Sequence, residues 1–268
     1  MPFYVIGMAI LGLLIGSFLN VCIYRIPRDI SVVAPRSFCP ECGAAIGWFD
    51  NIPLVSYFVL RGRCRPCGKA IGIRYPAVEA ITATLFGLIA YRYGWRPVAA
   101  KWLLWEAILV VLFWTDFEEQ ILPDELTLGG SALGIAIACF IPVLGVLVDS
   151  LFPAWRPIWR SLLDVGLGVI LLAAPIWLLG LLYEKIRRRE GLGFGDVKLL
   201  VLFSTFLGFE NGIFATMLGA VAGSVIGLIW CVATDRKLSE SALPFGSFLC
   251  VGGAVIPVIF RLDLMRRP

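Results

Sequence analysis

The chain has 268 residues, of which 59% are hydrophobic and 16% charged, and its mean hydropathy is +0.89. One water-soluble core cannot bury so much apolar surface, so the composition predicts a polytopic membrane protein. The net charge of +4 comes without a basic run interleaved with aromatic residues, so no nucleic-acid partner is expected, and the lack of histidine excludes Ser-His, Cys-His and His-zinc hydrolysis.

Eight apolar segments are candidate transmembrane helices, because a helical span needs roughly 20 mostly apolar residues. They cover residues 3–24, 76–91, 98–115, 126–148, 161–183, 197–208, 210–232 and 244–260, and only Glu210 and Asn211 separate the sixth from the seventh. Basic residues are in excess in the loops on the same side as residues 25–75, which predicts that this side is cytosolic. The predicted fold is an all-α membrane bundle of about eight transmembrane helices with a small cytosolic insert.

Three parts are expected along the chain: a first transmembrane helix at 1–24, a cytosolic insert at 25–75 and a transmembrane bundle at 76–268. The insert is rich in Pro, Gly and Arg and is too short to fold on a hydrophobic core of its own. It therefore needs another source of stability.

Two cysteine pairs in the insert can supply it. Cys39 and Cys42 form one pair, Cys64 and Cys67 the other, and each pair is followed by glycine. Two such turns can close a tetrahedron of thiolates around zinc, and four protein ligands leave no open coordination position, which indicates a structural role. The competing interpretation is two disulfides, which requires an oxidising compartment. The charge distribution argues against that compartment.

Two aspartates end apolar segments and are candidate catalytic residues. Asp116 closes the third segment, and Asp196 follows Gly193 and Gly195 at the start of the sixth. Two carboxyl groups that share one proton can activate a water molecule and polarise a peptide carbonyl. The alternative is that both aspartates only cap helix ends. The two glycines favour catalysis, because glycine allows the backbone to approach a ligand closely.

Other charged residues have more ordinary explanations. Asp124 follows Pro123 and is expected to cap the fourth segment, and Lys198 is either a flank of its span or a local countercharge. Three acids, Glu79, Glu106 and Asp164, fall within apolar stretches, where a carboxyl group is costly and is often functional.

The order of short motifs along the chain resembles that of the type IV prepilin peptidases. The motifs are Gly16-Ser17-Phe18-Leu19-Asn20-Val21, Pro35-Arg36-Ser37, Trp48-Phe49-Asp50-Asn51-Ile52-Pro53, Arg61-Gly62-Arg63-Cys64, Ile73-Arg74-Tyr75-Pro76, Glu79, the Asp116 to Asp124 stretch and Gly193-Phe194-Gly195-Asp196-Val197-Lys198-Leu199. The resemblance covers nearly the whole chain, and so many matches in one order are far more specific than any single motif.

The resemblance implies an aspartic endopeptidase of the bacterial inner membrane, with Asp116 and Asp196 as its catalytic pair on the cytosolic side. Its substrates would be the leaders of type IV prepilins or type II secretion pseudopilins, cut after a glycine. Methylation of the new N-terminus with S-adenosylmethionine is also implied, but no residue can be assigned to it from the sequence. One departure from the family is the stretch at 142–160, which looks longer than the usual outer loop.

Two other classes of protein stay open. A transporter would use intramembrane acids to relay protons or ions, and those acids should line a cavity at the bilayer midplane. A non-catalytic assembly factor would use the cysteine insert to hold a partner. In that case cysteine substitutions should destroy function, whereas substitutions of the two aspartates should not.

Overall fold

The computed structural model describes residues 2–143, 145–187, 193–234 and 244–260. These residues form α-helices joined by short connections, with no strand longer than an isolated bridge in the described ranges. The all-α prediction is confirmed. Residues 144, 188–192, 235–243 and 261–268 of the expected 76–268 bundle lie outside the described ranges. The expected domain limits stay a prediction.

Ten α-helices are described: α1 (Pro2–Arg25), α2 (Val55–Val59), α3 (Arg74–Tyr93), α4 (Pro97–Glu119), α5 (Asp124–Phe140), α6 (Val146–Leu151), α7 (Pro157–Gly168), α8 (Ala174–Arg187), α9 (Phe194–Thr234) and α10 (Phe245–Ile259). A π-helical turn, Val169–Ala173, joins α7 to α8. Two 3-10 turns, Ile26–Arg28 and Trp48–Asn51, lie in the insert.

Four helical segments of the described chain are long and apolar enough to cross a membrane: Phe3–Arg28, Pro97–Glu119, Pro157–Ile186 and Phe194–Trp230. Phe245–Ile259 is a shorter apolar helix. The protein is therefore a helical membrane protein. The count of eight spans stays a prediction.

Two helix boundaries differ from the sequence prediction. The expected segment 126–148 is not one helix, because α5 ends at Phe140 and α6 begins only at Val146. Ile141 has an extended backbone (φ −121°, ψ 86°) and precedes Pro142, which disfavours helical geometry in the residue before it. The break expected at Glu210 and Asn211 lies instead at Gly208, whose φ of 78° interrupts α9.

The chain divides into two compact units, residues 1–111 and residues 112–262. In the first unit, α1 packs against α3 through glycines. A Cβ added to Gly12 would lie 2.7 Å from Cα of Ala83, and one added to Gly16 would lie 2.8 Å from Cα of Glu79. Small residues at this four-residue spacing let two helix backbones approach closely.

In the second unit, α9 is the central helix and contacts α5, α7 and α10. Its buried face includes Phe203 and Phe206, both fully buried. Glycine again permits close packing, since a Cβ on Gly252 would overlap the carbonyl oxygen of Ala215. The central position of α9 fixes its first turn, which carries Asp196, relative to the neighbouring helices.

Candidate active site and metal cluster

Asp116 and Asp196 lie in the same unit, each at the end of a helix. Asp116 is in the last turn of α4, and Asp196 is in the first turn of α9. Their carboxyl groups are close enough to interact electrostatically with each other. Both carboxyl groups also interact electrostatically with the thiol of Cys250 in α10. Asp116 is 6% exposed, and Asp196 is partly buried. The fold thus brings together the two aspartates that the sequence singled out.

The carboxylate of Asp116 sits at the N-terminus of α10. The backbone N–H of Ser247 donates to its Oδ2 atom, and the Ser247 hydroxyl lies 2.8 Å from the same oxygen. That hydroxyl is also 3.0 Å from the carbonyl oxygen of Phe113. The C-terminus of α4 is an unfavourable place for an anion, and the N-terminus of α10 offsets this with amide donors and its dipole.

Glycines surround the two carboxyl groups. A Cβ on Gly246 would lie 3.1 Å from both Cγ and Oδ2 of Asp116, and one on Gly195 would lie 3.2 Å from the Leu122 side chain. At Gly193 a Cβ would be 3.4 Å from Oδ2 of Asp196. The backbone N–H of Asp196 donates to the carbonyl oxygen of Gly193 and closes the turn that begins α9. Gly246 therefore allows a closer backbone approach to an aspartate than either predicted glycine does.

Asp124 and Lys198 form an ion pair near the start of α5 and α9. Lys198 Nζ donates to Oδ1 of Asp124, and its ammonium also lies 4.8 Å from the centre of the Phe194 ring. The expectation that Asp124 caps α5 is wrong, because Pro123 occupies the N-cap position and no side chain there bonds to the first-turn amides. Lys198 is a local countercharge, one of the two roles that the sequence left open.

The four cysteines of the insert form one cluster in the first unit. The sulfur atoms of Cys39, Cys42, Cys64 and Cys67 all lie within 4.8 Å of one another, and Cys39 and Cys67 are 4.0 Å apart. Tetrahedral zinc with bonds of ~2.3 Å would hold its ligand sulfurs about 3.8 Å apart. All four are free thiols in an arrangement that can hold a metal ion.

The two cysteine turns repeat the same backbone geometry. The N–H of Gly43 donates to the carbonyl of Cys39, and the N–H of Gly68 donates to the carbonyl of Cys64, both at 2.8 Å. Gly43 and Gly68 have φ values of 70° and 69°, which glycine adopts readily. Inside the first turn, the backbone N–H of Cys42 points at the Cys39 sulfur and lowers the pKa of that thiol to about 7. The first turn is thus shaped to stabilise the thiolate of Cys39, the form that binds metal.

The three acids of the apolar stretches occupy different surroundings. Glu79 is 8% exposed and accepts the backbone N–H of Leu54. Glu106 is fully buried, with no hydrogen-bond partner for either oxygen among the described residues. Asp164 is 1% exposed, and its carboxylate packs directly against Gly208, where α9 is interrupted. These acids do not join the Asp116 and Asp196 pair.

Sequence reasoning missed Gly246 and Ser247. They follow Pro244 at the start of the last apolar segment, and a short polar residue after proline at such a place is a helix-start signal. That signal indicates a helix N-terminus, but not which carboxylate it will face.

Two family models match consecutive parts of the chain. Residues 10–93 match the bacterial peptidase A24 N-terminal domain, and residues 103–228 match the type IV leader peptidase family. The cysteine cluster lies in the first match, and both aspartates lie in the second. Ser247 lies beyond the second match. No solved structure matches the chain.

Curated relatives match most of the chain, and the three described here are each named prepilin leader peptidase/N-methyltransferase. The protein of Neisseria gonorrhoeae is 33% identical, over 95% of this chain and 90% of its own length. The Pseudomonas putida protein is 31% identical, over 94% of this chain and 90% of its own length. The Myxococcus xanthus protein is 36% identical over 88% of this chain, which spans 65% of that protein.

Proposed function

The chain belongs to the type IV leader peptidase family, and on that premise we propose that it is a membrane aspartic endopeptidase and N-methyltransferase. Its substrates are type IV prepilins or type II secretion pseudopilins, which it cuts after a glycine at the end of the leader. The names of the relatives support both activities.

One observation carries the assignment of the catalytic pair. Asp116 and Asp196 are far apart in sequence, yet their carboxyl groups interact electrostatically within one unit. Both lie at helix ends. A site at the end of spans suits a substrate whose charged leader stays in water while its apolar helix stays in the bilayer.

The unequal surroundings of the two carboxyl groups suggest separate roles. The Ser247 donors and the N-terminus of α10 favour the ionised form of Asp116. Asp196 then holds the shared proton. In this arrangement Asp116 takes a proton from the attacking water, while Asp196 donates a hydrogen bond to the scissile carbonyl and stabilises the developing negative charge.

Methylation follows cleavage and acts on the newly exposed amine. When bound, S-adenosylmethionine would supply an electrophilic methyl group to that amine. The protein has to exclude water and orient the amine, because hydrolysis would compete for the same carbon.

The cysteine cluster is best explained as a structural zinc site. Thiolate ligands select zinc over hard cations, and four protein ligands leave no position for a reacting water. Zinc would tie the two turns of residues 25–75 together. This segment forms the cytosolic insert between a first helix at 1–24 and the bundle at 76–268.

The protein resides in the bacterial inner membrane with its active site on the cytosolic side. The excess of basic residues on the side of residues 25–75 supports this orientation. The lipid bilayer and the substrate helix are its partners. The family match disfavours the transporter and the assembly factor, and the position of both aspartates at helix ends is unlike a midplane ion path.

Leader cleavage by the purified full-length protein tests the catalytic pair. Asp116→Asn and Asp196→Asn should each lower the rate of prepilin cleavage by about 10²–10⁴-fold or more, because each removes an acid-base group. Product masses would reveal leader loss and the added methyl separately. Asp29→Asn is the matched control, since Asp29 is exposed and its φ of 54° suits asparagine. Normal cleavage by either dyad variant would refute the assignment.

A further inference from the structure

A cavity of about 300 Å³ lies within the first unit, between the cysteine-bearing turns and the adjoining parts of α1 and α3. Its volume is at the lower end of the ~300–1,000 Å³ range of small-molecule sites. Four aromatic side chains line it: Tyr24, Phe38, Tyr57 and Tyr75. Apolar walls of this kind bind a planar ring well. The polar groups of the cavity then decide which molecule fits.

Asn20 belongs to the lining of this cavity and carries a buried acceptor that has no partner among the described residues. The side chain is 4% exposed, and its Nδ2 atom donates to the carbonyl oxygens of Tyr75 (3.0 Å) and Gly16 (3.3 Å). Because both partners are acceptors, the amide cannot be turned around, and its Oδ1 atom must face the other way. That oxygen is buried and has no partner among the described residues. A buried acceptor left unpaired is destabilising, so a ligand that donates a hydrogen bond to it would be favoured.

Glu79 adds a buried carboxylate to the same cavity lining. Its Oε2 atom accepts the backbone N–H of Leu54 at 2.8 Å, and Ser17 also hydrogen-bonds to the carboxylate. No basic side chain of the described ranges forms an ion pair with it. A buried carboxylate without a cationic partner is costly, and a cation is its natural complement. Asn20 and Glu79 together give the cavity lining hydrogen-bond acceptors and a negative charge that attracts cations.

We propose that this cavity binds the methyl donor, S-adenosylmethionine, with Asn20 Oδ1 and the Glu79 carboxylate facing its cationic methionyl end and the aromatic walls facing its adenine. The inference rests on the proposed methyltransferase activity and assigns it a site. The orphaned oxygen of Asn20 fits the ammonium group, which has N–H donors to offer. The sulfonium has none and is stabilised by nearby negative charge alone.

The amine of the cleaved substrate is also a cation, but its size argues against it as the occupant. That amine carries an entire apolar helix, whereas the cavity has room for a nucleoside-sized molecule. The cavity therefore fits the donor better than the acceptor.

Direct binding to the full-length, zinc-loaded protein in lipid nanodiscs tests the site. The probe is S-adenosylmethionine without prepilin, so that no turnover occurs, and the readout is the dissociation constant from calorimetry. Glu79→Gln should weaken binding by about 10-fold or more, the loss expected for a charge-assisted hydrogen bond. Asp29→Asn, which changes an exposed acid outside the cavity lining, should leave the dissociation constant unchanged.

A second variant keeps the test decisive if Glu79→Gln does not fold. Ala70 is exposed at the cavity wall, and Ala70→Trp fills the cavity without removing a hydrogen-bonding side chain. It should prevent binding of the donor while leader cleavage and zinc content stay normal. If Glu79→Gln loses zinc or cleavage, Ala70→Trp alone decides.

The outcomes separate this inference from the proposed function. Unchanged donor affinity in Ala70→Trp, or in a folded Glu79→Gln, would overturn the assigned site. If the wild-type protein still methylates prepilin, the proposed methyltransferase activity would nevertheless hold. Wild-type protein that removes the leader, binds no donor and adds no methyl would overturn both the site and the second activity. The peptidase would remain.

Discussion

Ser247 places its backbone N–H and its hydroxyl within hydrogen-bond distance of one oxygen of Asp116, although the two residues are 131 positions apart. The contact makes the first turn of α10 part of the aspartate site. It also explains how a carboxylate can be held at the C-terminal end of α4, where the helix dipole opposes it. Positioning of Asp116 is thus shared between α4, which carries it, and α10, which anchors it.

Removing the Ser247 hydroxyl should slow cleavage without stopping it. Ser247→Ala keeps the backbone donor and loses one hydrogen bond, worth ~0.5–1.5 kcal/mol, so we expect kcat for leader removal to fall about 2–10-fold with KM nearly constant. Steady-state kinetics on a prepilin would measure this. Ser224→Ala is the control, because Ser224 is exposed and its hydroxyl donates to the carbonyl oxygen of Ala220 in its own helix. Equal kcat values for the two variants would contradict the positioning role.

Adding a methyl group at Gly246 should displace Asp116. The new Cβ would lie 3.1 Å from the carboxyl carbon and 3.0 Å from Cδ1 of Leu122, so Gly246→Ala must push one of them aside. Because small misplacements of catalytic groups cost up to ~10²-fold in rate, we expect cleavage to fall by about 10–100-fold. Gly129→Ala on α5 meets nothing within 4 Å and should cleave normally. A Gly246→Ala protein as active as that control would show that the contact is unimportant.

Gly208 should tolerate no side chain. Its φ is 78°, and a Cβ there would overlap Oδ2 of the buried Asp164. Strain and overlap together predict that Gly208→Ala lowers the free energy of unfolding by at least about 2 kcal/mol. Denaturation of detergent-solubilised protein, followed by helical circular dichroism, would measure the loss. Gly166→Ala, with open space around its Cβ, should be nearly neutral, and similar stability of both variants would disprove the prediction.

Zinc affinity should depend more steeply on pH below about 7 than above it. The N–H of Cys42 holds the pKa of Cys39 at about 7, below the ordinary thiol value. Above that pH Cys39 is already a thiolate, whereas below it zinc has to displace one more proton, so the affinity falls faster as pH decreases.

Competition with a chromophoric chelator between pH 6 and pH 8 would measure that change of slope. Cys39→Ser should abolish it and weaken binding overall. Cys139→Ser, which removes a cysteine from α5 and not from the cluster, should retain it. A constant slope in the wild-type protein would mean that Cys39 does not titrate in this range.

Local patterns were sufficient to predict the helices and the cysteine cluster. Apolar runs predicted helical segments because a spanning helix satisfies all of its backbone groups internally. Cys39 and Cys42 sit in one turn, so their spacing alone fixes half of the cysteine cluster. The second half is the same turn repeated at Cys64 and Cys67.

Tertiary contacts explain where prediction failed. Asp124 has the composition of a helix cap, yet Lys198 of α9 pairs with it from elsewhere in the fold. The break in α9 lies at Gly208 rather than at polar Glu210, because the left-handed backbone needs glycine while Glu210 bonds to the first amides of α6. The carboxylate partner of Ser247 depends on how α10 packs, which no local pattern encodes.

The glycine contact between α1 and α3 has a consequence for the polar segment that joins them. Gly12 and Gly16 bring the two helix backbones together, so the helices themselves hold the ends of the connecting segment side by side. The packing of α1 on α3 thereby offsets much of the entropy cost of closing this long loop. The four thiolates, with the zinc ion that we propose, then have only to join two small turns, which needs no hydrophobic core.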